Sequence, residues 1–164
     1  AGADFLIGGA PEDEAADLMF GGDGNDFIAV YGESGGFGGD GDDSIALVGR
    51  GLGPSTVQGG AGQDELALFG DATLTGFGAA NEFEIISNVV NATLFGTEDA
   101  NLFDFSVVTL SGANGLLVRG AGGDDTIIGT TAADQFRGED DNDTLRGLSG
   151  ADLLEGGAGD DILE

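Results

Sequence analysis

The sequence predicts an all-β fold in the form of a solenoid, and three observations support this prediction. Residues 120–164 divide into nine-residue units that share one pattern without a break in register. Glycine supplies 34 of the 164 residues, yet 40% of the chain is hydrophobic, which is too much for a purely solvated polymer. Short apolar stretches alternate with glycine-rich stretches, as expected for short strands joined by tight turns.

The C-terminal array gives the clearest signal. It reads GAGGDDTII, GTTAADQFR, GEDDNDTLR, GLSGADLLE and GGAGDDILE, and every unit begins with glycine and has a large apolar residue at its eighth place. The sixth-place residues are Asp125, Asp134, Asp143, Asp152 and Asp161. Five units in one phase indicate repeated structure rather than chance.

The same pattern occurs near the start with looser spacing. GGDGNDFIA begins at Gly21, GGDGDDSIA at Gly38 and GGAGQDELA at Gly59. The sixth-place residues are Asp26, Asp43 and Asp64, and Asp4 and Asp17 are weaker members of the series. We therefore expect an N-terminal array over residues 1–69 and a C-terminal array over residues 120–164.

The stretch between the arrays, residues 70–119, follows a different pattern with a period of ten. Its units begin at Asp71, Asn81, Asn91 and Asn101, so asparagine mostly stands where the arrays have aspartate. An asparagine amide can hydrogen-bond a turn without adding charge. We interpret this stretch as rungs of one continuous solenoid that need no cation to offset charge.

A turn plus a short strand makes half a coil, so two nonapeptides should form one rung. Units two apart then stack on the same side. In the C-terminal array we expect one ladder of Asp125, Asp143 and Asp161 and an opposite ladder of Asp134 and Asp152. In the N-terminal array we expect Asp4, Asp26, Asp43 and Asp64 on one side and Asp17 on the other. The expected core comprises Ile28, Ile45, Leu66, Ile127, Leu145 and Leu163, with Phe83, Phe95, Phe103 and Phe105. The third- and fifth-place acids are expected to be solvated.

Net charge and composition limit which partners and metal ions the chain is expected to bind. The formal net charge is -27, which disfavours nucleic acid and anionic lipid, and a membrane span is not expected because no apolar run is long enough. Cysteine and histidine are absent, so oxygen ligands remain, and these suit calcium. Carboxylates stacked about 5 Å apart repel one another unless a divalent ion lies between them. No catalytic motif stands out, and the glycine-rich turns lack the lysine of a phosphate-binding loop.

GGDGNDFIA, GGDGDDSIA and GGAGDDILE resemble the G-G-x-G-x-D-x-U-x nonapeptide of hemolysin-type, or RTX, calcium-binding repeats. The resemblance implies a right-handed parallel β-roll in a fragment of a larger secreted bacterial protein. It also implies type I secretion, an extracellular or cell-surface location, and folding triggered by several Ca²⁺ ions.

The resemblance also implies which positions bind metal. The sixth-place aspartates named above would supply side-chain oxygens, and the glycine-rich loops would supply carbonyls. The glycines that match the motif are Gly22, Gly24, Gly39, Gly41, Gly60, Gly62, Gly123, Gly157 and Gly159. Ala132, Asp141 and Leu148 replace motif glycines, so we expect weak or empty sites there, above all between Asp134 and Asp152.

Two other roles remain open at this stage. The chain could be a structural segment of a cell-surface adhesin or surface layer, with self-association, or an accessory module of a polysaccharide-modifying enzyme or protease. The parent protein could then be an enzyme although this segment is not. A groove containing Arg119, Arg137 and Arg146 would favour an anionic glycan, but Arg137 and Arg146 hold ninth places of adjacent units and should lie on opposite faces.

Overall fold

The computed structural model describes residues 2–8, 16–49, 55–88, 90–112 and 115–164, and the statements below concern these residues. The chain is an all-β solenoid of about seven turns built from parallel sheets, which confirms the predicted fold class. The short 3₁₀ helix Ala79–Asn81 interrupts the strands, and no described helix could cross a membrane.

The strands are short, as the repeat length requires. In the first part of the chain they are β1 Phe5–Gly8, β2 Leu18–Asp23, β3 Phe27–Val30, β4 Gly35–Asp40, β5 Ser44–Leu47, β6 Thr56–Ala61 and β7 Glu65–Leu68. In the middle they are β8 Ala72–Thr73, β9 Gly76–Phe77, β10 Ile85–Asn88, β11 Thr93–Phe95, β12 Leu102–Asp104 and β13 Thr109–Leu110. In the last part they are β14 Leu117–Ala121, β15 Thr126–Ile128, β16 Gln135–Asp140, β17 Thr144–Arg146, β18 Leu153–Ala158 and β19 Ile162–Leu163.

Both arrays are two-sided. In the N-terminal array, β1, β3, β5 and β7 lie in sheet one, and β2, β4 and β6 form sheet two. In the C-terminal array, β14, β16 and β18 lie in sheet three, and β15, β17 and β19 lie in sheet four. There Thr126 pairs with Thr144 and Thr144 with Ile162, a shift of 18 residues, so two nonapeptides form one rung as predicted.

The middle has three sides. Sheet one continues through β10 and β13, while sheet three begins at β8 and sheet four at β9. Paired residues lie 20 apart at Glu65 and Ile85, 22 apart at Ala72 and Leu94, and 26 apart at Phe77 and Phe103. The ten-residue spacing seen in the sequence is therefore not a structural repeat.

One apolar core runs along the solenoid axis. Ile28, Ile45, Leu66, Ile127 and Leu145 are fully buried in it, as expected from their eighth places. In the middle, stacked phenylalanines fill the wider cross-section, with the Phe77 and Phe105 rings 5.1 Å apart. Two core expectations were wrong.

Phe95 is half-buried on the outer face of sheet three, because it follows the buried Leu94 on the strand and successive side chains point to opposite faces. Its partner in register is the outward Arg119. Leu163 is 48% exposed because β19 is the edge strand of sheet four.

Candidate metal centres

The sixth-place aspartates form hydrogen-bonded ladders along the turns. Each aspartate donates its backbone N–H to Oδ1 of the aspartate one rung further on, as from Asp26 to Asp43 and from Asp43 to Asp64, both at 2.8 Å. Asp4 joins this N-terminal ladder through its N–H bond to Asp26 at 2.7 Å. The C-terminal ladder repeats the geometry from Asp125 to Asp143 at 2.9 Å and from there to Asp161 at 3.0 Å. The stacking predicted from the sequence is confirmed.

The second carboxylate oxygen is the notable feature of these ladders. Oδ2 is buried and has no hydrogen-bond partner at five ladder positions, which are Asp26, Asp43, Asp64, Asp125 and Asp143. The five side chains are at most 3% exposed. A buried carboxylate oxygen without a protein partner is costly, and a bound cation would remove that cost.

The first glycine of each unit opens a space for that oxygen. A methyl group on Gly38 would collide with Oδ2 of Asp43 and with the carbonyl oxygen of Gly59 on the next rung. A methyl group on Gly120 would likewise collide with Oδ2 of Asp125 and the carbonyl oxygen of Gly138. A side-chain oxygen and a main-chain oxygen from successive rungs therefore face the same small space.

These donor atoms fit calcium. Calcium takes six to eight oxygens and accepts backbone carbonyls as readily as carboxylates. Among the described residues no three acidic side chains come together as one metal-binding group, so a calcium site here would need main-chain carbonyls beside the ladder carboxylates. When bound, the ion would neutralise the stacked carboxylates and join neighbouring turns.

The turn backbone explains why glycine recurs at the second and fourth places. Gly39 and Gly41 have φ of 117° and 140°, in the left-handed region that disfavours side chains. Three other residues occupy second places at positive φ: Ala121 at 88°, Glu139 at 84° and Leu148 at 68°. Asp141 does so at a fourth place, at 76°. These substitutions keep the turn shape, so the departures from the motif do not by themselves remove a turn.

Burial changes the acidity of the ladder. Burial raises the pKa of Asp64 and of Asp125 to about 6. The backbone hydrogen bond to each carboxylate opposes this shift, and the neighbouring carboxylate reinforces it. Burial and the same neighbours also raise the pKa of Asp43 and Asp143. At these four positions the folded chain therefore favours the protonated carboxyl more strongly than water does.

The opposite side of the C-terminal array is built differently. Asp134 stacks on Asp152 as predicted, with a hydrogen bond of 2.9 Å. However, Oδ2 of Asp134 accepts the Thr130 N–H at 2.8 Å and the Thr130 hydroxyl at 3.0 Å, while Oδ1 accepts the Leu116 N–H. The carboxylate is thus satisfied within the protein, which supports the expectation of a weak or empty site here.

Asn101 closes its turn in the same way. Its Oδ1 accepts the Thr97 N–H at 2.7 Å, and its amide donates to the Thr97 hydroxyl at 3.0 Å. Residues 96–101, GTEDAN, and 129–134, GTTAAD, thus share a Gly-Thr start and the same hydrogen bond from the threonine N–H to the sixth side chain. The two turns lie in different stacks, since Asn101 donates its N–H to Asp125 at 2.7 Å.

Asp17 and its stack also differ from the motif. Asp17 lies opposite the N-terminal ladder, as predicted, and its N–H donates to the Ser34 hydroxyl at 3.2 Å. Ser55, the next residue in register, is a second serine. The stack therefore has one carboxylate and two hydroxyls, which is a poorer cation site than the ladder it faces.

Sequence reasoning missed three groups that complete the ladders. Glu84 extends the N-terminal ladder, because its Oε2 accepts the Asp64 N–H at 2.8 Å. The threonines of the G-T turns were not recognised as substitutes for a cation. The fifth-place residues Asp42, Asp124 and Asn142 are exposed as expected, but their side-chain oxygens accept N–H groups from neighbouring rungs. A polar residue following glycine could have revealed the threonines, whereas Glu84 lies outside any repeat.

Comparison with known proteins agrees with this geometry. The sequence pattern described as the RTX calcium-binding nonapeptide repeat (4 copies) matches residues 13–35, 119–154 and 137–164. No curated protein and no solved structure shows a significant match. The matched segments include Asp26, Asp125 and Asp143, whose buried oxygens lack partners. Residues 13–35 and 119–164 therefore match RTX calcium-binding nonapeptide repeats, in a chain that folds as a parallel β-solenoid.

Proposed function

We propose that this solenoid is a calcium-driven folding module of a secreted bacterial protein. The observation that carries the proposal is the set of five buried Oδ2 atoms without partners. Without cations the folded state must bury these carboxylates with no counter-charge beside them, which is unfavourable. The unfolded chain avoids that cost, so calcium decides which state is populated.

The size of the effect follows from linkage. A site that exists only in the folded state stabilises it by about 1.4–2.7 kcal/mol when free calcium is about ten to a hundred times its dissociation constant. Several such sites act on one cooperative core, so their contributions add to a large share of a typical folding free energy. In a calcium-poor cytoplasm the chain would stay extended, and outside the cell it would become a rigid rod.

The module itself is proposed to be non-catalytic. Its acidic groups repeat from rung to rung, and the ones with a special environment are those of the ladders. A catalytic site requires a distinct acid, base or nucleophile in one place. The regular ladders serve repeated ion binding better than a single reaction.

The test is far-UV circular dichroism during a calcium titration, with magnesium as the control ion. We expect a cooperative gain of β signal with calcium and little or none with magnesium, which is smaller and keeps its water. Complete β structure in metal-free buffer at neutral pH would overturn the folding switch. The solenoid would then be constitutive and its ions accessory.

A further inference from the structure

The outer face of sheet three carries a groove of about 390 Å³ that the calcium sites do not use. Two columns of side chains cross it from rung to rung. One column runs from Thr93 through Leu117 and Gln135 to Leu153. The other consists of Phe95, Arg119, Arg137 and Glu155. The groove therefore combines apolar surface with two adjacent guanidinium groups and, at one end, the Glu155 carboxylate.

The position of these arginines is unusual for so acidic a chain. The sequence has only four cationic side chains against 31 acidic ones, and Arg119 and Arg137 are direct neighbours in register. Arg146 lies on β17 in sheet four, which confirms that Arg137 and Arg146 are on opposite faces. Arg119 and Arg137 are side by side because one full rung of 18 residues separates them.

The glutamates paired with Arg119 and Arg137 leave other guanidinium N–H donors available. Nε of Arg119 lies 3.7 Å from Glu139, and Nε of Arg137 lies 3.0 Å from Glu155, with all four side chains at least 39% exposed. Such exposed pairs contribute little and are easily exchanged. A guanidinium carries four further N–H donors, which suit a carboxylate in two-point contact. The Arg119 guanidinium also lies 5.9 Å from the centre of the Phe95 ring, which holds it over the groove.

We propose that this groove binds a linear acidic saccharide, a chain of sugar rings that carries uronate carboxylates. Arg119 and Arg137 would bind a carboxylate between them, and the exposed Gln135 amide would hydrogen-bond ring hydroxyls. Leu117 and Leu153 would contact the apolar C–H faces of neighbouring rings. Each column has one side chain per rung, about 4.8 Å apart, so an extended chain laid across the rungs would contact several of them in succession.

An acidic peptide fits this surface less well. Extended peptides bind by adding a strand to a sheet edge, where main-chain groups are free. The groove lies on a face of sheet three, where β14 and β16 are paired on both sides. Carboxylates on one face of an extended peptide also repeat about every 6.6–6.8 Å, which does not match arginines one rung apart.

The experiment measures binding of a galacturonate hexamer to the calcium-loaded chain by titration calorimetry, with free calcium held constant by dialysis. The variant is Arg119→Gln with Arg137→Gln. The matched control is Arg146→Gln, because Arg146 forms the same kind of exposed ion pair, with Glu164 at 2.6 Å, on the other face. Circular dichroism in calcium verifies that each variant is folded.

We expect the double variant to lose affinity by at least about tenfold, since hydrogen bonds to charged groups are removed. Arg146→Gln should bind like the unaltered chain, and a neutral glucose hexamer should bind at least about tenfold more weakly. Equal weakening by Arg146→Gln, equal binding of the neutral hexamer, or equal binding of a glutamate hexapeptide would each overturn the proposal. So would no binding at all to the folded chain. These outcomes leave the calcium titration of the folding switch unaffected, so the two proposals fail separately.

Discussion

Two consecutive turns of the C-terminal array show two ways to bury the same aspartate. In residues 120–125 the Asp125 Oδ2 atom is buried without a partner, beside the first glycine of the unit. In residues 129–134 the Asp134 carboxylate is equally buried but accepts the Thr130 amide and hydroxyl. The side chain is identical, and the nearest donor differs.

The second residue of a unit differs between the two turns, and in turn 129–134 it supplies the carboxylate with hydrogen-bond donors. In turn 120–125 the second and fourth residues, Ala121 and Gly123, have positive φ. In turn 129–134 neither Thr130 nor Ala132 has positive φ, so the backbone takes another path and the threonine reaches the carboxylate. Asn101 and Thr97 repeat that solution in the middle of the chain. A G-T turn can therefore close without a metal.

The largest effect is expected from filling the space at a first glycine. Gly120→Ala would place a methyl group against Oδ2 of Asp125 and the carbonyl oxygen of Gly138. Overpacking of this kind costs about 1–3 kcal/mol, and the cation contribution at that turn is lost in addition. Thermal unfolding in saturating calcium, together with the number of ions bound at equilibrium dialysis, measures both losses.

Gly122→Ala in the same turn is the control. The nearest atom to its added methyl is Oε2 of the flexible Glu98 side chain at 3.3 Å, and Gly122 does not have positive φ. We expect its unfolding free energy to stay within about 0.5 kcal/mol of the unaltered chain and its ion count to be unchanged. If both variants lost the same stability, the space beside the first glycine would have no special role.

A smaller effect is expected from removing one carboxylate charge, either from a turn with an unpartnered Oδ2 or from the turn closed by Thr130. Asp143→Asn removes an Oδ2 that has no protein partner, so a bound ion should be lost, with about 2.7 kcal/mol if calcium is a hundred times its dissociation constant. Asp134→Asn replaces one carboxylate oxygen with an NH₂ group, so one of the N–H bonds that the carboxylate accepts is lost. We expect the unfolding free energy to fall by about 1 kcal/mol and the ion count to stay the same. Calcium stoichiometry by dialysis separates the two outcomes.

Loss of an ion in Asp134→Asn would mean that the threonine turn binds calcium despite its internal hydrogen bonds. An unchanged ion count in Asp143→Asn would mean that the unpartnered oxygen is not a ligand. Either result would remove the distinction between the two kinds of turn.

The sequence was sufficient for the arrays because each nonapeptide determines its own turn and strand. Gly38 and Asp43, for instance, have fixed places within one unit, and a shift of 17 or 21 residues brings the next unit into register. The pairing of rungs and the ladders could therefore be predicted before any coordinates. The inward direction of Ile45 followed from its place in the same unit.

The structure of residues 70–119 could not be predicted because the contacts there do not follow a short sequence repeat. Asn81 lies in a 3₁₀ helix and donates its amide to the Val57 carbonyl at 2.8 Å, and Asn91 has a φ of 53°. Asn101 alone of the three holds a ladder position. The same spacing thus led to three environments, since the third side of the rung depends on how Phe77, Phe83 and Phe105 pack across the core.

The smallest effect in the series concerns protons, which can occupy the ladder in place of calcium. Burial and neighbouring carboxylates raise the pKa of Asp64 and Asp125 from 3.8 to about 6 in the folded chain. A folded-state pKa above the unfolded value contributes stability that is complete below 3.8 and is lost as the pH rises through about 6. In metal-free buffer, the melting temperature should therefore fall across this window.

With saturating calcium the same window should show the opposite slope, because an ion binds the ionised carboxylate and competes with the proton. Differential scanning calorimetry with and without calcium measures both slopes. General repulsion among exposed acids also weakens in acid, but salt at about 1 M screens it while leaving the buried ladder largely unscreened. A metal-free slope that vanishes in high salt would assign the effect to the surface. A slope that persists would assign it to the unpartnered oxygens of the ladder.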